Sequence, residues 1–444
     1  MSKRFVNRKN ELDYLKDRYR SDQAELIVLY GRRRVGKTFL LTEGFQKKSL
    51  YLLAEESETV LEDFSKVMAE EFHDEVLKDN PLSSWKAFFT YLNEKAKKKK
   101  LLVIIDEVQY IAKNYKPFMS ILQKKWDTDL KNTDIKLILC GSLMSFMEGI
   151  LSGKSPIYGR RTGAWKLEPM DFSALINFHP IEIEEAFKVY SVFGGVPQYW
   201  RDYQPDDDFW DNLKRMLFSK GGRYYDEPKY LLKEEIREVS RYFSILKAIT
   251  DGATTFGNIS TKSKVDPNSL GKYLHVLEDM GYIKKEEPVL GKKGIYVIDD
   301  NLFHFWFEFI YPSKHLIEKG ENITNRIKKD FNRYLGKKYE VVAKEFLEGM
   351  NRKGRLPFEF SKIGRWWHKG EEIDLVALKD DKGMFFEVKW SDLTKDQVTQ
   401  IADDLRRKAS RFDLEEKYFG LVTKKAPKKD LVFTLEDISE LTLE

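Results

Sequence analysis

One eight-residue stretch limits the fold more than any other part of this 444-residue chain. It reads G-R-R-R-V-G-K-T at residues 31–38, directly after the apolar run Leu26–Tyr30. This pattern is that of the phosphate-binding loop, or P-loop, in which a strand leads through a tight turn into a helix. Its glycines let the backbone curl, so that successive N–H groups point at phosphate oxygens. The stretch therefore predicts an α/β domain that holds a nucleotide.

The residue types in the loop predict how the nucleotide is held. The Lys37 ammonium should reach the β- and γ-phosphates and serve catalysis, and the Thr38 hydroxyl should ligate Mg²⁺. A helix that begins near Lys37 adds the positive end of its dipole. The predicted contacts with ATP are Gly31, Arg32, Arg33, Arg34, Val35, Gly36, Lys37, Thr38 and Phe39. The three arginines could reach nucleotide, a neighbouring subunit or solvent, and the sequence leaves these alternatives open.

A second apolar run ends in two acids and predicts the catalytic side of the same site. Leu101–Ile105 has the composition of a buried parallel strand, and Asp106 and Glu107 follow at its carboxyl end. Ligands bind at this edge of an open α/β sheet. We expect Asp106 to hold Mg²⁺ and Glu107 to polarise the attacking water. The pair favours hydrolysis of ATP over binding alone.

Other runs complete a doubly wound α/β pattern. We predict strands at Ser49–Ala54 and Ile135–Gly141, alternating with helices at Val60–Phe72 and at 84–98. Ser142 follows the strand and could sense the γ-phosphate, position the water or cap the helix over residues 143–150. Before the first strand, a helix with Asn7 as its N-cap is expected.

Composition narrows the setting of the protein. The single cysteine, Cys140, excludes an intramolecular disulfide framework and is expected in the core. The first five residues lack the apolar stretch of a signal peptide, and no run of 18 apolar residues is present. We therefore expect a cytoplasmic protein without a membrane partner. A net charge of +5 neither requires nor excludes nucleic acid.

Six motifs in this order resemble the archaeal-type ATPase family, whose P-loop enzymes are related to the STAND signalling NTPases. They are Phe5–Leu12, Gly31–Thr38, Ile105–Gln109, Gly141-Ser142, Tyr158–Arg161 and Gly194–Tyr199. The resemblance implies that Arg8 and Glu11 lie near the nucleotide base. It implies that Pro197 abuts adenine from a helical lid, and it makes Arg160 or Arg161 a candidate arginine finger or sensor.

Three helices and a hairpin between residues 231 and 312 predict a winged helix. Asp266-Pro267 provides the N-cap and first residue of the third helix. In DNA-binding versions this helix enters the major groove and the wing touches the backbone. The predicted DNA contacts, mostly to phosphate, are Lys264, Ser269, Lys272, Lys292 and Lys293. The alternative is a module for packing or protein contact.

The aromatic segment Asn301–Ile310 could stack on bases, but its composition favours a buried helix that ends at Pro312.

The C-terminal part predicts a helix around Glu340 followed by strands at Phe358–Trp367, Glu371–Leu378 and Met384–Trp390. An even-length turn at residues 380–383 pairs residue numbers with an odd sum. Asp374 then shares a sheet face with Glu387 and Lys389. A cross-strand ladder of ion pairs is the alternative reading of this face.

This order resembles the PD-(D/E)XK nuclease core. The resemblance implies that Glu340, Asp374 and Glu387 bind Mg²⁺, and that Glu387 and Lys389 serve catalysis. Gln397 or Gln400 would fill an additional polar position. Ile373 stands where the family pattern has proline.

The expected fold is a doubly wound parallel α/β P-loop NTPase sheet with a helical lid, then a winged helix, then an α/β restriction-endonuclease-like domain. The predicted boundaries are 1–168, 169–230, 231–312 and 313–444. We expect an ATP-binding, ATP-hydrolysing protein that acts on DNA through a metal-dependent nuclease-like domain. The alternative is a STAND-like switch or DNA-binding regulator with a silent C-terminal domain. The sequence leaves open whether the protein binds a second copy of itself or another protein. It disfavours a small-molecule kinase.

Overall fold

The computed structural model describes residues 7–45 and 49–443. Its contacts divide the chain into two units. The first holds the residues up to Pro169 together with Val196–Gln198, and the second holds Met170–Gly195 and the residues from Tyr199 onward. No helix in the described part of the chain is long and apolar enough to cross a membrane. The division into four predicted domains is finer than this one and stays a prediction.

A five-stranded parallel sheet of order β2-β3-β4-β1-β5 forms the centre of the first unit. Its strands are β1 Glu25–Tyr30, β2 Ser49–Leu53, β3 Leu101–Asp106, β4 Ile135–Gly141 and β5 Gly163–Lys166. Its helices are α1 Lys9–Arg20, α2 Lys37–Phe45, α3 Val60–Phe72, α4 Glu75–Asp79, α5 Trp85–Ala96, α6 Val108–Asn114, α7 Phe118–Thr128 and α8 Met144–Leu151. The central strands β1, β3 and β4 are buried along their whole length, which explains their continuous apolar runs.

Two predicted caps in this unit are wrong. The N-cap of α1 is Arg8, and Asn7 lies one residue before it with φ of 49°. The N-cap of α8 is Leu143 and not Ser142, whose hydroxyl has another partner. Phe5 of the first motif lies outside the described residues.

The second unit combines helices with a mixed sheet of order β12-β11-β10-β9-β8. Strands β8 and β9 both pair in antiparallel fashion, whereas β10, β11 and β12 are parallel to one another. The strands are β6 Ile283–Glu286, β7 Ile295–Ile298, β8 Lys362–His368, β9 Glu371–Lys379, β10 Lys382–Asp392, β11 Glu416–Lys425 and β12 Val432–Phe433. The helices after α8 are α9 Phe172–Phe178, α10 Ile183–Phe193, α11 Pro197–Asp202, α12 Phe209–Met216, α13 Glu227–Glu235, α14 Val239–Thr250, α15 Phe256–Ser263, α16 Pro267–Asp279, α17 Asn301–Phe305, α18 Tyr311–Glu318, α19 Thr324–Arg352, α20 Lys395–Ala409 and α21 Leu435–Leu443.

Helices α14, α15 and α16 and the β6–β7 hairpin occupy the segment predicted as a winged helix. The Asp266 carboxylate accepts a hydrogen bond from the Asn268 N–H at 2.7 Å, so the predicted N-cap of α16 is present. The chain turns after α16 at Gly281, where φ is 69°. These local signals were sufficient to place the three helices and the hairpin.

The aromatic segment is buried, as the composition indicates, but it does not end at Pro312. A π-helical turn, Trp306–Ile310, follows α17 and leads directly into α18. Pro312 lies in the first turn of α18, directly after the π-helical turn. The Trp306 indole N–H donates to the Tyr225 carbonyl at 2.6 Å, which satisfies its polar atom in the core.

The predicted register of the C-terminal sheet is the observed one. Lys382 pairs with Lys379 and Phe386 with Leu375, so that paired numbers have an odd sum. The strand predicted from Phe358 begins later, at Lys362. Its first part is not in the ladder because the Asn351 side chain bonds both the N–H and the carbonyl of Phe360, at 2.9 and 3.1 Å.

Candidate functional site

The P-loop connects β1 to α2, and its two glycines meet different needs. A Cβ at Gly31 would collide with the backbone carbonyl of Leu167. Gly36 has φ of 97°, a conformation that favours glycine. A Cβ at Gly36 would meet nothing within 4 Å, so the backbone conformation and not a lack of space favours glycine here.

Lys37 is folded across the loop. Its ammonium donates to the carbonyls of Gly31 at 2.8 Å and Arg32 at 3.0 Å, and the residue is 5 % exposed. Burial lowers the pKa of Lys37, and the charges of Glu107 and Asp106 oppose that change. An anionic phosphate beside the ammonium would offset the cost of burying its charge.

The two predicted ligands of Mg²⁺ lie side by side. The Thr38 hydroxyl donates to Asp106 Oδ2 at 2.8 Å, and the Glu107 N–H donates to Asp106 Oδ1 at 2.9 Å. The Tyr51 hydroxyl also donates to Asp106 Oδ2, at 2.5 Å, and burial raises the pKa of Tyr51 well above its usual range. Hydroxyl and carboxylate oxygens are the ligands that Mg²⁺ prefers, so this donor set fits the ion.

Glu107 is held by two neighbours. Its backbone has φ of 55° and ψ of 41°, and its Oε2 accepts a hydrogen bond from the Ser142 hydroxyl at 2.7 Å. The Gln109 amide donates to the same oxygen and lies 3.4 Å from the Ser142 hydroxyl. Ser142 therefore orients Glu107, whereas the predicted contacts of Ser142 with phosphate or water stay predictions.

Arg8 is buried against the loop backbone. Its guanidinium donates to the carbonyls of Val35 at 3.1 Å and Glu168 at 2.8 Å, and to Glu11 at 2.8 Å. These contacts hold the loop to the chain that follows β5. The contact of Arg8 and Glu11 with the nucleotide base stays a prediction.

Arg160 and Arg161, the two candidates for an arginine finger or sensor, both make hydrogen bonds within the protein in this conformation. Arg160 binds the Asp127 carboxylate of α7, with Nη2 at 3.0 Å from Oδ2. Arg161 donates to the Leu151 carbonyl at 3.1 Å. Within the loop, Arg33 donates to the Tyr110 hydroxyl at 2.9 Å. Pro197 is the first residue of α11. None of these contacts tests the roles predicted for Arg160 and Pro197.

A second group of charged side chains lies on the C-terminal sheet, in the other unit. Asp374 on β9 accepts a hydrogen bond from the Val388 N–H at 2.8 Å, beside Glu387 on β10. The Lys389 ammonium donates to Glu387 Oε1 at 2.7 Å and lies 4.0 Å from Asp374 Oδ2. The odd-sum register thus brings the three predicted residues together.

Burial and the repulsion between neighbouring carboxylates raise the pKa values of two acids in this group. Burial, followed by the charge of Glu387, raises the pKa of Asp374 to about 6. Burial also raises the pKa of Glu340 to about 7, although Arg365 opposes the change and Asp374 adds to it. Burial would lower the pKa of Lys389, but its hydrogen bond to Glu387 and the nearby acids together raise it. Such shifts are typical of functional sites.

One carboxylate oxygen of Glu387 is evidence that this group of acids could hold a metal ion. Glu387 Oε2 is buried and accepts no hydrogen bond from any residue that the structure describes. The Lys408 ammonium lies 3.7 Å from this oxygen. The described residues contain no group of three His, Cys, Asp or Glu side chains arranged around a metal position. Mg²⁺ commonly takes one or two carboxylates and keeps several waters, so Asp374 and Glu387 fit it.

The comparisons with known proteins address the family. Residues 5–202 match an ATPase domain found predominantly in Archaea. An uncharacterized protein of Methanocaldococcus jannaschii is 39% identical to this chain over 450 aligned residues. The alignment covers 98% of the chain and 100% of that protein. An uncharacterized ATP-binding protein of the same organism is 50% identical over 46 residues, which are 10% of this chain and 78% of that protein.

The chain belongs to this archaeal ATPase family.

Two further comparisons concern the fold and the C-terminal part of this archaeal ATPase. The Walker-type ATPase of Pyrococcus abyssi matches 68% of the chain with 96% of its own, at 22% identity and a TM-score of 0.53. That likeness shows the fold of a P-loop ATPase. Residues 306–401 match archaeal and bacterial proteins of unknown function. This match spans α19, β8, β9 and β10, and it assigns them no chemistry.

Sequence reasoning missed three side chains of the ATPase. Tyr51, Arg365 and Lys408 contact the predicted ligands Asp106, Glu340 and Glu387. A polar residue within the apolar β2 was the available signal for Tyr51. Gln397 is exposed, and its side chain accepts from the Thr394 N–H at 2.9 Å in a capping box at the start of α20. Gln400 is exposed as well, and the polar position predicted for one of these two glutamines stays a prediction. Lys408, near the other end of α20, lies beside Glu387 instead.

Proposed function

We propose that this ATPase hydrolyses ATP at its P-loop and acts on DNA as a metal-dependent nuclease through its C-terminal sheet. The observation that carries the proposal is the grouping of Asp374, Glu387 and Lys389 on β9 and β10. A solvated ladder of ion pairs would not require Asp374 to be 8 % exposed or leave a Glu387 oxygen buried without a donor from the described residues.

Each ATP-site residue has a role that follows from its position. The Lys37 ammonium and the loop N–H groups bind the phosphates, and Arg8 keeps the loop backbone in place. Ser142 and Gln109 hold the Glu107 carboxylate, which accepts a proton from the attacking water. Thr38 and Asp106 would hold Mg²⁺, which neutralises phosphate charge when bound.

The C-terminal residues would act on a phosphodiester. Asp374 and Glu387 would hold Mg²⁺, with Glu340 nearby, and the bound ion would supply Lewis-acid activation. Lys389 orients the water that attacks phosphorus and stabilises the added negative charge. Hydrolysis forms one P–O bond to the water oxygen and breaks one to a sugar oxygen, which leaves with a proton.

The predicted DNA-contacting residues support a nucleic-acid substrate. Lys264 follows α15, Lys272 lies on α16, and Lys292 and Lys293 lie between β6 and β7; all four are exposed. Exposed lysines on the third helix and the wing suit phosphate contacts that do not depend on sequence.

A silent C-terminal domain in an ATP-dependent switch is the second candidate function. The Arg365 guanidinium lies 3.5 Å from Glu340 Oε2, so one predicted metal ligand is paired with a cation. A domain that only binds DNA could keep this pair permanently.

One panel of assays separates the candidates. The protein is incubated with Mg²⁺ or Mn²⁺, with and without ATP, on single-stranded, duplex and branched DNA. Asp374→Ala is expected to abolish cleavage, and Lys37→Ala to abolish ATP hydrolysis. Loss of cleavage in both variants indicates coupling to ATP, whereas loss in Asp374→Ala alone indicates an independent nuclease.

Two results of the panel contradict the proposal. Absence of cleavage by the wild type under every condition contradicts the nuclease. Hydrolysis of ATP that survives in both Lys37→Ala and Glu107→Gln contradicts the assignment of the ATP site.

A further inference from the structure

The loop that follows β6 docks on the edge of the C-terminal sheet. The Val289 N–H donates to the Arg365 carbonyl at 2.8 Å, and the Lys362 ammonium donates to the Val289 carbonyl at 2.8 Å. The Val289 side chain is 2 % exposed and belongs to the same core cluster as Trp366 and Ile373. The loop of the predicted wing is therefore fixed to β8, next to the strand that carries Asp374.

Arg365 joins this docked segment to the acidic group. Its guanidinium lies 3.4 Å from Glu286 on β6, 3.5 Å from Glu340 on α19 and 3.4 Å from Glu372 on β9. Arginine presents several donors in one rigid plane and can bind more than one carboxylate at once.

The exposure of the three acids ranks these contacts. The side chains of Arg365, Glu286 and Glu340 are each about one quarter exposed, whereas that of Glu372 is 65% exposed. An exposed ion pair is weak because water and salt screen it, and partial burial strengthens the other two. The chain Glu286–Arg365–Glu340 is thus the stronger path.

We propose that Arg365 is a positioning residue that couples the wing to the C-terminal metal site. Glu286 holds the guanidinium towards the wing, and Arg365 in turn sets the position and the electrostatic surroundings of Glu340. This inference rests on the proposed nuclease function, because it takes Glu340 as part of that site.

The contacts give a direction to the effect of each substitution. In Glu286→Gln the Arg365 guanidinium loses one anionic partner, so less of its positive charge is neutralised and it attracts Glu340 more strongly. A cation beside Glu340 competes with a metal ion, so the site should bind Mn²⁺ more weakly. The loss of one partly buried ion pair corresponds to about a threefold to tenfold change in affinity.

The chain offers a matched control next to Glu286. Glu287 pairs with Lys285 at 3.6 Å, on the same hairpin, and its side chain is exposed. Glu287→Gln removes the same charge from almost the same place without touching Arg365. Its Mn²⁺ affinity should equal that of the wild type.

The experiment measures Mn²⁺ binding to the full chain without nucleotide, by calorimetry. The C-terminal component is the binding that Asp374→Ala removes. We expect the Mn²⁺ affinity of this component to fall in Glu286→Gln and to stay unchanged in Glu287→Gln. The affinity should be the same in Arg365→Gln as in the double variant Glu286→Gln/Arg365→Gln. Identical binding by those last two variants shows that Arg365 transmits the effect. Thermal unfolding of each variant controls for folding.

The outcomes separate this inference from the nuclease proposal. The inference alone is overturned if Glu286→Gln leaves the C-terminal Mn²⁺ component unchanged. It is also overturned if Glu286→Gln weakens that component by the same factor in the Arg365→Gln background as in the wild type. Absence of that component in the wild type overturns the metal site and the inference with it.

Discussion

Ser142 shows how a single hydroxyl can decide the use of a catalytic acid. It follows β4 and lies beside the residues that follow β3, since the sheet places these two strands side by side. Its hydroxyl donates to Glu107 at 2.7 Å and is buried. A sequence can identify Glu107 and Ser142 separately, but only the strand order shows that they are partners.

We predict that Ser142→Ala lowers the turnover number for ATP about tenfold to a hundredfold, because a hydrogen bond to a charged group contributes about 1.5–3 kcal/mol. The KM for ATP should change little, since Ser142 orients the base and not the phosphates. Steady-state ATPase kinetics measure both quantities. Ser152→Ala is the control, because Ser152 directly follows α8 and its hydroxyl donates to the Gly149 carbonyl of that helix. Equal turnover by both variants would contradict the role of Ser142.

A buried acid of α19 predicts a dependence of stability on pH. Glu345 accepts hydrogen bonds from the Phe172 N–H at 3.0 Å and the Tyr190 hydroxyl at 3.1 Å, and burial raises its pKa to about 7. The folded state therefore holds a proton that the unfolded state releases above a pH of about 4.5. Stability from this group is full below that pH and is lost as the pH rises through about 7.

Glu345→Gln should remove this dependence and keep both hydrogen bonds, with the amide oxygen as acceptor from Phe172 and the amide nitrogen as donor to Tyr190. Between pH 5 and 8, the free energy of unfolding should fall less in the variant, by about 1 kcal/mol or more. Urea unfolding at the two pH values measures the difference. The same loss in variant and wild type would disprove the assignment.

At the scale of elements, local signals predicted what they specify and no more. The Asp266-Pro267 cap placed α16, and the apolar runs placed β1, β3 and β4. Helix α4 and the edge strand β5 were not predicted, because such short elements carry weak periodicity. Helix α7 was not predicted either, although its buried residues Phe118, Leu122 and Trp126 recur at helical spacing.

Helix α20 allows a test of capping at this scale. The Thr394 hydroxyl accepts from the Gln397 N–H at 3.4 Å, and the Gln397 side chain accepts from the Thr394 N–H. Thr394→Ala removes one half of this capping box and should destabilise the protein by about 1 kcal/mol. Thr399→Ala, at an exposed position within the helix, should change stability by less than about 0.5 kcal/mol. Thermal unfolding compares them, and equal midpoints would count against the cap.

At the scale of the whole molecule, the sequence predicted both candidate sites but not the contacts that link the C-terminal site to the wing. Its motifs named the ATP-site residues and the acids of β9 and β10. The contacts of Arg365 with Glu286 and Glu340 join segments that are far apart in sequence. No periodicity or motif encodes such a contact, because it depends on how β8 lies against α19 and the wing.

The two sites share no residue, and this predicts that they can be separated. Lys37 belongs to the first unit, and Asp374 and Glu387 belong to the second. Lys37→Ala should abolish ATP hydrolysis and leave the C-terminal Mn²⁺ component unchanged. Calorimetry without nucleotide measures the second property, and weakened Mn²⁺ binding in Lys37→Ala would show that the sites depend on each other.

The most direct test of the nuclease assignment compares two lysines on labelled DNA with Mn²⁺. Lys389 lies between Asp374 and Glu387, whereas Lys395 is the exposed first residue of α20. Cleavage by the wild type and by Lys395→Met should proceed at the same rate. Lys389→Met should be slower by about a hundredfold or more, since it removes the positive charge next to the developing phosphorane. Equal rates for the two variants, or no cleavage by the wild type, would contradict the account.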